Sequence, residues 1–208
     1  VGEFVKRKNI EALLRAYHTE FHPSEPVNLF LKLSMPGVDS NSTLEQFDNF
    51  ASTVKAGLKI RKKYRKEVAI TGMLEKKHLI SLMSKCDCFV MPSFGEAWCI
   101  PALEAMALGL PVIHTQGTGM DDFCVGWPVQ SKSTRCYLAN DSLQDVYTSL
   151  TSWKEVDVES LASTMRIAYE TYKNDKQEWQ KIKALAKETS QNYTIRKIGQ
   201  AMKELLNG

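Results

Sequence analysis

Glu96 and Glu104 are the two side chains of this sequence best placed to do chemistry. They bracket the stretch Met91-Pro92-Ser93-Phe94-Gly95-Glu96-Ala97-Trp98-Cys99-Ile100-Pro101-Ala102-Leu103-Glu104, where an apolar run ends and a loop carries one acid. Pro101 suits the first turn of the helix that follows, and Glu104 is expected within that turn. A helix start offers unpaired N–H groups and partial positive charge to a pyrophosphate. A carboxylate only accepts hydrogen bonds, so Glu104 can take two from the vicinal hydroxyls of a ribose. Glu96, earlier in the loop, then faces the part of such a ligand beyond the phosphates. The same spacing also suits a plainer role, with Glu104 complementing the helix dipole and Glu96 a solvated loop acid.

Two further junctions could serve the same ligand. The opening Gly2-Glu3-Phe4-Val5-Lys6-Arg7-Lys8-Asn9 reads as a strand end running into a helix with three cations beside it. Lys8 is the first candidate to neutralise phosphate, because it stands at the helix start. Lys6 and Arg7 fit solvated loop positions equally well. The segment His114-Thr115-Gln116-Gly117-Thr118-Gly119-Met120-Asp121-Asp122 is a glycine-containing loop that lets backbone approach a ligand. His114 reads as a satisfied strand-end histidine there.

The elements that must position these residues alternate. Ile10, Leu13, Leu14 and Tyr17 show helical spacing over Lys8 to Tyr17, and Thr43 to about Leu58 reads as a second helix. Asn28 to Leu33 reads as a strand, and Val68 to Thr71, Cys88 to Met91 and Pro111 to His114 are short apolar runs of the kind that form strands buried on both faces. Glu75 to Ser84 and Pro101 to Leu108 are the helices between them. Strand and helix in alternation predict an α/β fold with a Rossmann-like parallel sheet flanked by helices. After about Trp127, Val129 to Asp141 is polar and irregular, and the rest is mostly helical. Val158 to Lys173 puts Leu161, Met165, Ala168, Tyr169 and Tyr172 on one side, and Thr194 to Leu206 sets Ile195, Ile198, Met202 and Leu205 on one stripe.

Composition excludes several classes. The 208 residues are 43% hydrophobic and 25% charged, ordinary for a folded domain, so a disordered or coiled-coil chain is excluded. No apolar run reaches the roughly 18 residues of a membrane span. A net charge of +3 is too slight to imply nucleic acid as a partner. The start of the sequence lacks the features of a secretory signal, and five cysteines without framework spacing fit the same intracellular, cytoplasmic expectation. Cys86-Asp87-Cys88 is too closely spaced for a structural zinc pair, so no metal is expected. The charge run Lys59 to Glu67 reads as a solvated helix end, or as a peripheral contact with anionic lipid or phosphate. Neither a G-x-G-x-x-G after a strand nor a P-loop occurs, which takes support from NAD oxidoreductases and P-loop NTPases.

Glu96 to Glu104 resembles the E-x7-E signature of retaining glycosyltransferases of the GT-B fold, family GT4. Pro92-Ser93 before it, Pro101-Ala102-Leu103-Glu104-Ala105-Met106-Ala107 within it and Gly109-Leu110-Pro111-Val112-Ile113 after it are similar to that family's donor-domain block. Gly2 to Ala16 resembles its first strand, phosphate loop and helix. The resemblance implies that residues 1–208 form the C-terminal, nucleotide-sugar-binding half of a GT-B enzyme, the acceptor-binding N-terminal half being absent from this sequence. It further implies transfer of a hexose from a UDP- or GDP-sugar to a glycan, lipid or protein hydroxyl, with retention and without a cofactor. Glu104 would hold the ribose, Glu96 the donor sugar and Lys8 the diphosphate. Gly2 and the backbone from Ala97 through Trp98 and Cys99 to Ile100 would line the donor, while Met73 and Leu74 would lie near the base. The last helix would cross onto the partner half.

This sequence departs from the family pattern at three places. Glu3 stands where the family commonly has an arginine, so Lys6 or Arg7 must supply a second cation or donor binding is weaker. Cys99 stands where glycine is usual. Asp121 and Asp122 replace a glutamate after the glycine pair. The departure at Glu3 motivates a second reading, a scaffold or nucleotide-sugar-binding module without transfer activity; a GT-B epimerase or phosphorylase is a third.

Overall fold

The computed structural model describes residues 1–60, 63–136, 148 and 150–207. The first sheet holds β1 (Gly2–Glu3), β2 (Phe30–Ser34) and β3 (Val68–Thr71), parallel in the order β1-β2-β3. The second holds β4 (Phe89–Met91), β5 (Val112–Thr115) and β6 (Gly126–Val129), parallel in the order β4-β5-β6. The sequence predicts one sheet, and the hydrogen bonding gives two halves. β1 meets β2 at Gly2↔Leu33 and Glu3↔Ser34 and forms no ladder with β4 among the described residues. A cavity of about 330 Å3 separates β2 from β4, lined among others by Leu31, Leu33, Phe89, Met91 and Met165.

The helices form because each has an apolar face and a capped start. α1 (Ile10–Glu20) is capped by Asn9, whose Oδ1 accepts from the Ala12 N–H, and buries Leu13, Leu14 and Tyr17. The expected helix from Lys8 is thus a 3-10 turn, Lys6–Lys8, followed by α1. α2 (Ser40–Leu58) starts at Asp39, which accepts from the Asn41 and Ser42 N–H groups. α3 (Lys76–Met83) and α4 (Ile100–Ala107) lead out of β3 and the loop after β4. α5 (Val158–Asn174) packs on α1, tied by Arg166, which bonds Glu20 and Glu25 at 2.7 Å each and covers the Phe21 ring at 4.6 Å. α6 (Lys176–Ser190) packs on α4 through Ala186 and is fixed further by Trp179.

Two sequence expectations change. The segment after Val129 is not irregular up to Arg135: Ser131–Arg135 is β7, antiparallel to β8 (Ser152–Val156), with the residues expected irregular beyond Cys136 lying outside the described residues. Polar side chains on β7 hid the strand. The charge run is only partly solvated, because Arg65 donates to the Pro23 and Val27 carbonyls and Glu67 is buried; Arg61 and Lys62 lie outside the described residues. α7 (Ile195–Asn207) leaves Ile195, Leu205 and Leu206 exposed, its apolar stripe uncovered by any described residue of this chain. No described helix is long and apolar enough to cross a membrane.

Glu67 illustrates how the core tolerates charge. Burial alone would raise its pKa, but hydrogen bonds from His18, its own backbone and Lys55 hold it down at about 2. A folded-state pKa below the unfolded value contributes stability above the unfolded pKa, and that stability fades as pH falls. Unfolding free energy measured across pH 7 to 2 should therefore drop between about pH 4.5 and 2, by up to about 3 kcal/mol from this group. Glu67→Gln should be less stable at pH 7 and show a smaller drop.

Candidate functional site

The ends of β1 and β4 sit where the two sheet halves face each other, the point at which ligands bind in doubly wound sheets. The turn after β1 brings Arg7 and Lys8, and the loop after β4 brings Glu96. They meet on one atom. Arg7 Nη1 donates to Glu96 Oε1 at 2.7 Å, Lys8 Nζ at 2.6 Å and Ser93 Oγ at 2.9 Å. The Glu96 side chain is only 8% exposed, so the expectation of a solvated loop acid is corrected. Desolvation would expel a lone carboxylate, and the two cations keep it in place. Lys8 is itself buried, its aliphatic stem laid against Gly2, where an added Cβ would come within 3.3 Å of Lys8 Cε.

Arg7 is the second cation at this junction. It also donates to the Gly95 carbonyl at 2.7 Å, whereas Lys6 is exposed, 4.0 Å from Glu11 and 5.9 Å from the Phe94 ring. Glu3 is exposed on β1.

The loop carrying Glu96 is fixed from three sides. Phe94 N–H donates to the Arg7 carbonyl at 2.9 Å, and Lys154 N–H of β8 donates to the Phe94 carbonyl at 2.7 Å. Gly119 N–H donates to the Glu96 carbonyl at 2.9 Å. Thr115 Oγ1 donates to the Ser93 carbonyl at 2.7 Å. Gly119 is required by space, since a Cβ there would stand 2.0 Å from the Ala97 carbonyl oxygen. The loop containing it is clamped in turn by Asp121, which bonds His114 Nε2 at 3.0 Å and accepts from the Gly117 N–H at 2.7 Å. His114 departs from the satisfied histidine expected: Nδ1 is buried without a hydrogen-bond partner among the described residues. Burial lowers its pKa against the opposing pull of Asp121.

Glu104 stands apart from this junction. α4 begins at Ile100, so Glu104 falls in its second turn rather than the first. Its carboxylate is 36% exposed and lies 3.6 Å from Lys76 Nζ, at the start of α3 and two residues beyond Leu74. That pair brings the Met73–Leu74 turn to the Glu104 side of the loop. Met73 is exposed and Leu74 partly buried. Between the two acids, Ala97 and Ile100 are exposed, and the Trp98 ring stacks on Phe123 with centroids 4.5 Å apart and meets Tyr193 at 4.8 Å. Cys99 caps α4 at φ 38, ψ 71, a left-handed conformation that costs a side chain about 1 kcal/mol relative to glycine. Among the described residues Glu96 and Glu104 share no hydrogen-bond or ion-pair partner, and the cavity between β2 and β4 touches neither. Of the two candidates for a second cation it is Arg7, not Lys6, that joins the junction; the Ser93 hydroxyl and the clamp at Gly119 are the parts that spacing alone does not single out. Their signal is topological, each following the end of a strand that borders the switch point.

Residues 1–127 match the family described as glycosyl transferases group 1. The chain belongs to that family. A serotype-specific mannosyltransferase, WbdA, of Escherichia coli is 32% identical over 124 residues, covering 58% of this chain and 14% of that protein. The chain thus spans a small part of the curated relatives' length. The C-terminal domain of a glycosyl transferase group 1 family protein, LpcC, of Francisella tularensis superposes with a TM-score of 0.61 at 18% identity, covering 94% of this chain and 84% of that one. Anabaena HepE, solved with UDP and glucose, gives 0.63 at 18%, covering 99% of this chain and 47% of that one. At these identities the likeness is one of fold, and the fold of this glycosyltransferase-family chain is that of a GT-B C-terminal domain.

The clamp under the site has a measurable consequence. Gly119→Ala should destabilise the protein by about 2–3 kcal/mol and lower Tm by about 5–10 °C, read by thermal denaturation, because Ala97 must move.

Proposed function

We propose that this chain is the donor-binding half of a retaining glycosyltransferase that moves a hexose from a nucleoside diphosphate sugar to an acceptor hydroxyl. One observation carries the reading: Arg7 and Lys8, from the turn after β1, converge with the loop after β4 on a single oxygen. Two buried or half-buried cations at a sheet switch point suit the charge of a diphosphate, both in the bound donor and as it departs. Glu104 holds the ribose hydroxyls on its exposed carboxylate, with Met73 and Leu74 beside the base. Gly2 and the Ala97–Ile100 backbone border sugar and phosphates, and Glu96 meets the donor sugar near the reacting carbon. Cations and backbone N–H groups carry the phosphate charge, so the reaction needs no metal or cofactor. The UDP and glucose bound by HepE support a nucleotide-sugar donor.

A glycan, lipid or protein acceptor is held by a second Rossmann-like half, and these residues alone bind donor without transferring it. The protein works in the cytoplasm, with a peripheral lipid contact through its basic segments. Glu3 favours the second reading, a module that binds nucleotide sugar but does not transfer, because a carboxylate replaces the family's arginine beside the phosphates. Transfer assayed on the chain together with an acceptor half separates the two.

Calorimetry with UDP and GDP tests the donor site. One of the two should bind, and Glu104→Ala should weaken it by about tenfold or more, the loss expected for charge-assisted hydrogen bonds. Binding of neither, or equal affinity in the variant, contradicts the assignment.

A further inference from the structure

The Arg7–Lys8 pair is not open in this structure. Both cations are spent on Glu96 Oε1, at 2.7 and 2.6 Å, and Ser93 Oγ closes the third side at 2.9 Å. One oxygen receiving two cationic donors and a hydroxyl has the surroundings of a phosphate oxygen. Both Arg7 Nη1 protons are taken, by Glu96 Oε1 and the Gly95 carbonyl, so a diphosphate oxygen that is to lie between Arg7 Nη1 and Lys8 Nζ must displace the carboxylate. The main chain is pinned on both sides of Glu96, by Phe94 N–H on the Arg7 carbonyl and Gly119 N–H on the Glu96 carbonyl. Release is therefore a rotation of the Glu96 side chain, with the loop staying in place.

We infer that Glu96 is an internal competitor for the diphosphate site, occupying with Oε1 the position of a phosphate oxygen until a diphosphate displaces it. The inference rests on the diphosphate reading of Arg7 and Lys8. Displacement does two things at once: the phosphates gain both cations, and the freed carboxylate is left on the loop beside them, where the sugar end of a donor would lie. The site closes on itself when empty, and the buried cations are never unpaired. A ligand that cannot engage both cations gains too little to open it.

Inorganic pyrophosphate is the probe, because it lacks the ribose and base that Glu104 and Met73–Leu74 would recognise. Titration calorimetry should show Glu96→Gln binding pyrophosphate about tenfold tighter than wild type, since the internal rival has lost its charge. Glu96→Asp keeps the charge but is one methylene too short to hold both cations, and should also bind several-fold tighter. Circular dichroism establishes that each variant is folded, and the Asp variant retains the test if the Gln variant is not. Tightening in Gln alone means a long-range charge effect and overturns the inference. Unchanged or weaker affinity in both, or no pyrophosphate binding by any form, overturns it equally. Failure of the donor-site reading looks different: pyrophosphate would bind while UDP and GDP added nothing to its affinity.

Discussion

A carboxylate withdrawn from water is tolerated only where it is paired, and the pairing of Glu96 with Arg7 and Lys8 joins the two halves of this fold at the carboxyl ends of β1 and β4. The two three-stranded sheets share no ladder among the described residues. What crosses between the turn after β1 and the loop after β4 is this polar junction, together with the hydrogen bonds from Phe94 N–H to the Arg7 carbonyl and from Arg7 to the Gly95 carbonyl, and the contact of Lys6 with the Phe94 ring. An ion pair used this way contributes geometric definition more than net stability, because desolvation consumes much of its Coulomb energy.

The rest of the site is built outward from that junction. Gly119 can approach the Ala97 carbonyl because it has no side chain, and Asp121 holds its loop through His114 and Gly117. Trp98 anchors the other flank in an aromatic group with Phe123 and Tyr193, tying the loop to the region between α6 and α7. Cys99 then starts α4 in a left-handed conformation, the one backbone departure the loop needs before the helix carries Glu104 to Lys76. Rigidity around Glu96 and exposure around Glu104 divide the site into a fixed charged end and an open polar one.

Much of this was legible in the sequence. Val68–Thr71 is a strand with the bounds its apolar run implies, though it is partly exposed rather than buried on both faces because β3 is the edge of its sheet, and the stripe of Leu161, Met165 and Ala168 does bury against α1. Period and turn chemistry are local signals, so local elements follow from them. Glu96 and Glu104 were also legible, as acids flanking a loop and a helix start. The partner of each acid was not. Arg7 and Lys8 lie far from Glu96 in sequence, and only the order of strands brings them together. β7 escaped because Ser131–Arg135 is polar throughout and gains its strand character from β8.

The central claim is that Arg7 and Lys8 form a diphosphate site that Glu96 occupies in its absence. A crystal structure with UDP or GDP bound tests it most directly. The account predicts terminal phosphate oxygens on Arg7 Nη1 and Lys8 Nζ, the Glu96 side chain turned away from both, and the ribose on Glu104. A nucleotide bound elsewhere, or bound with Glu96 Oε1 still holding both cations, would contradict it.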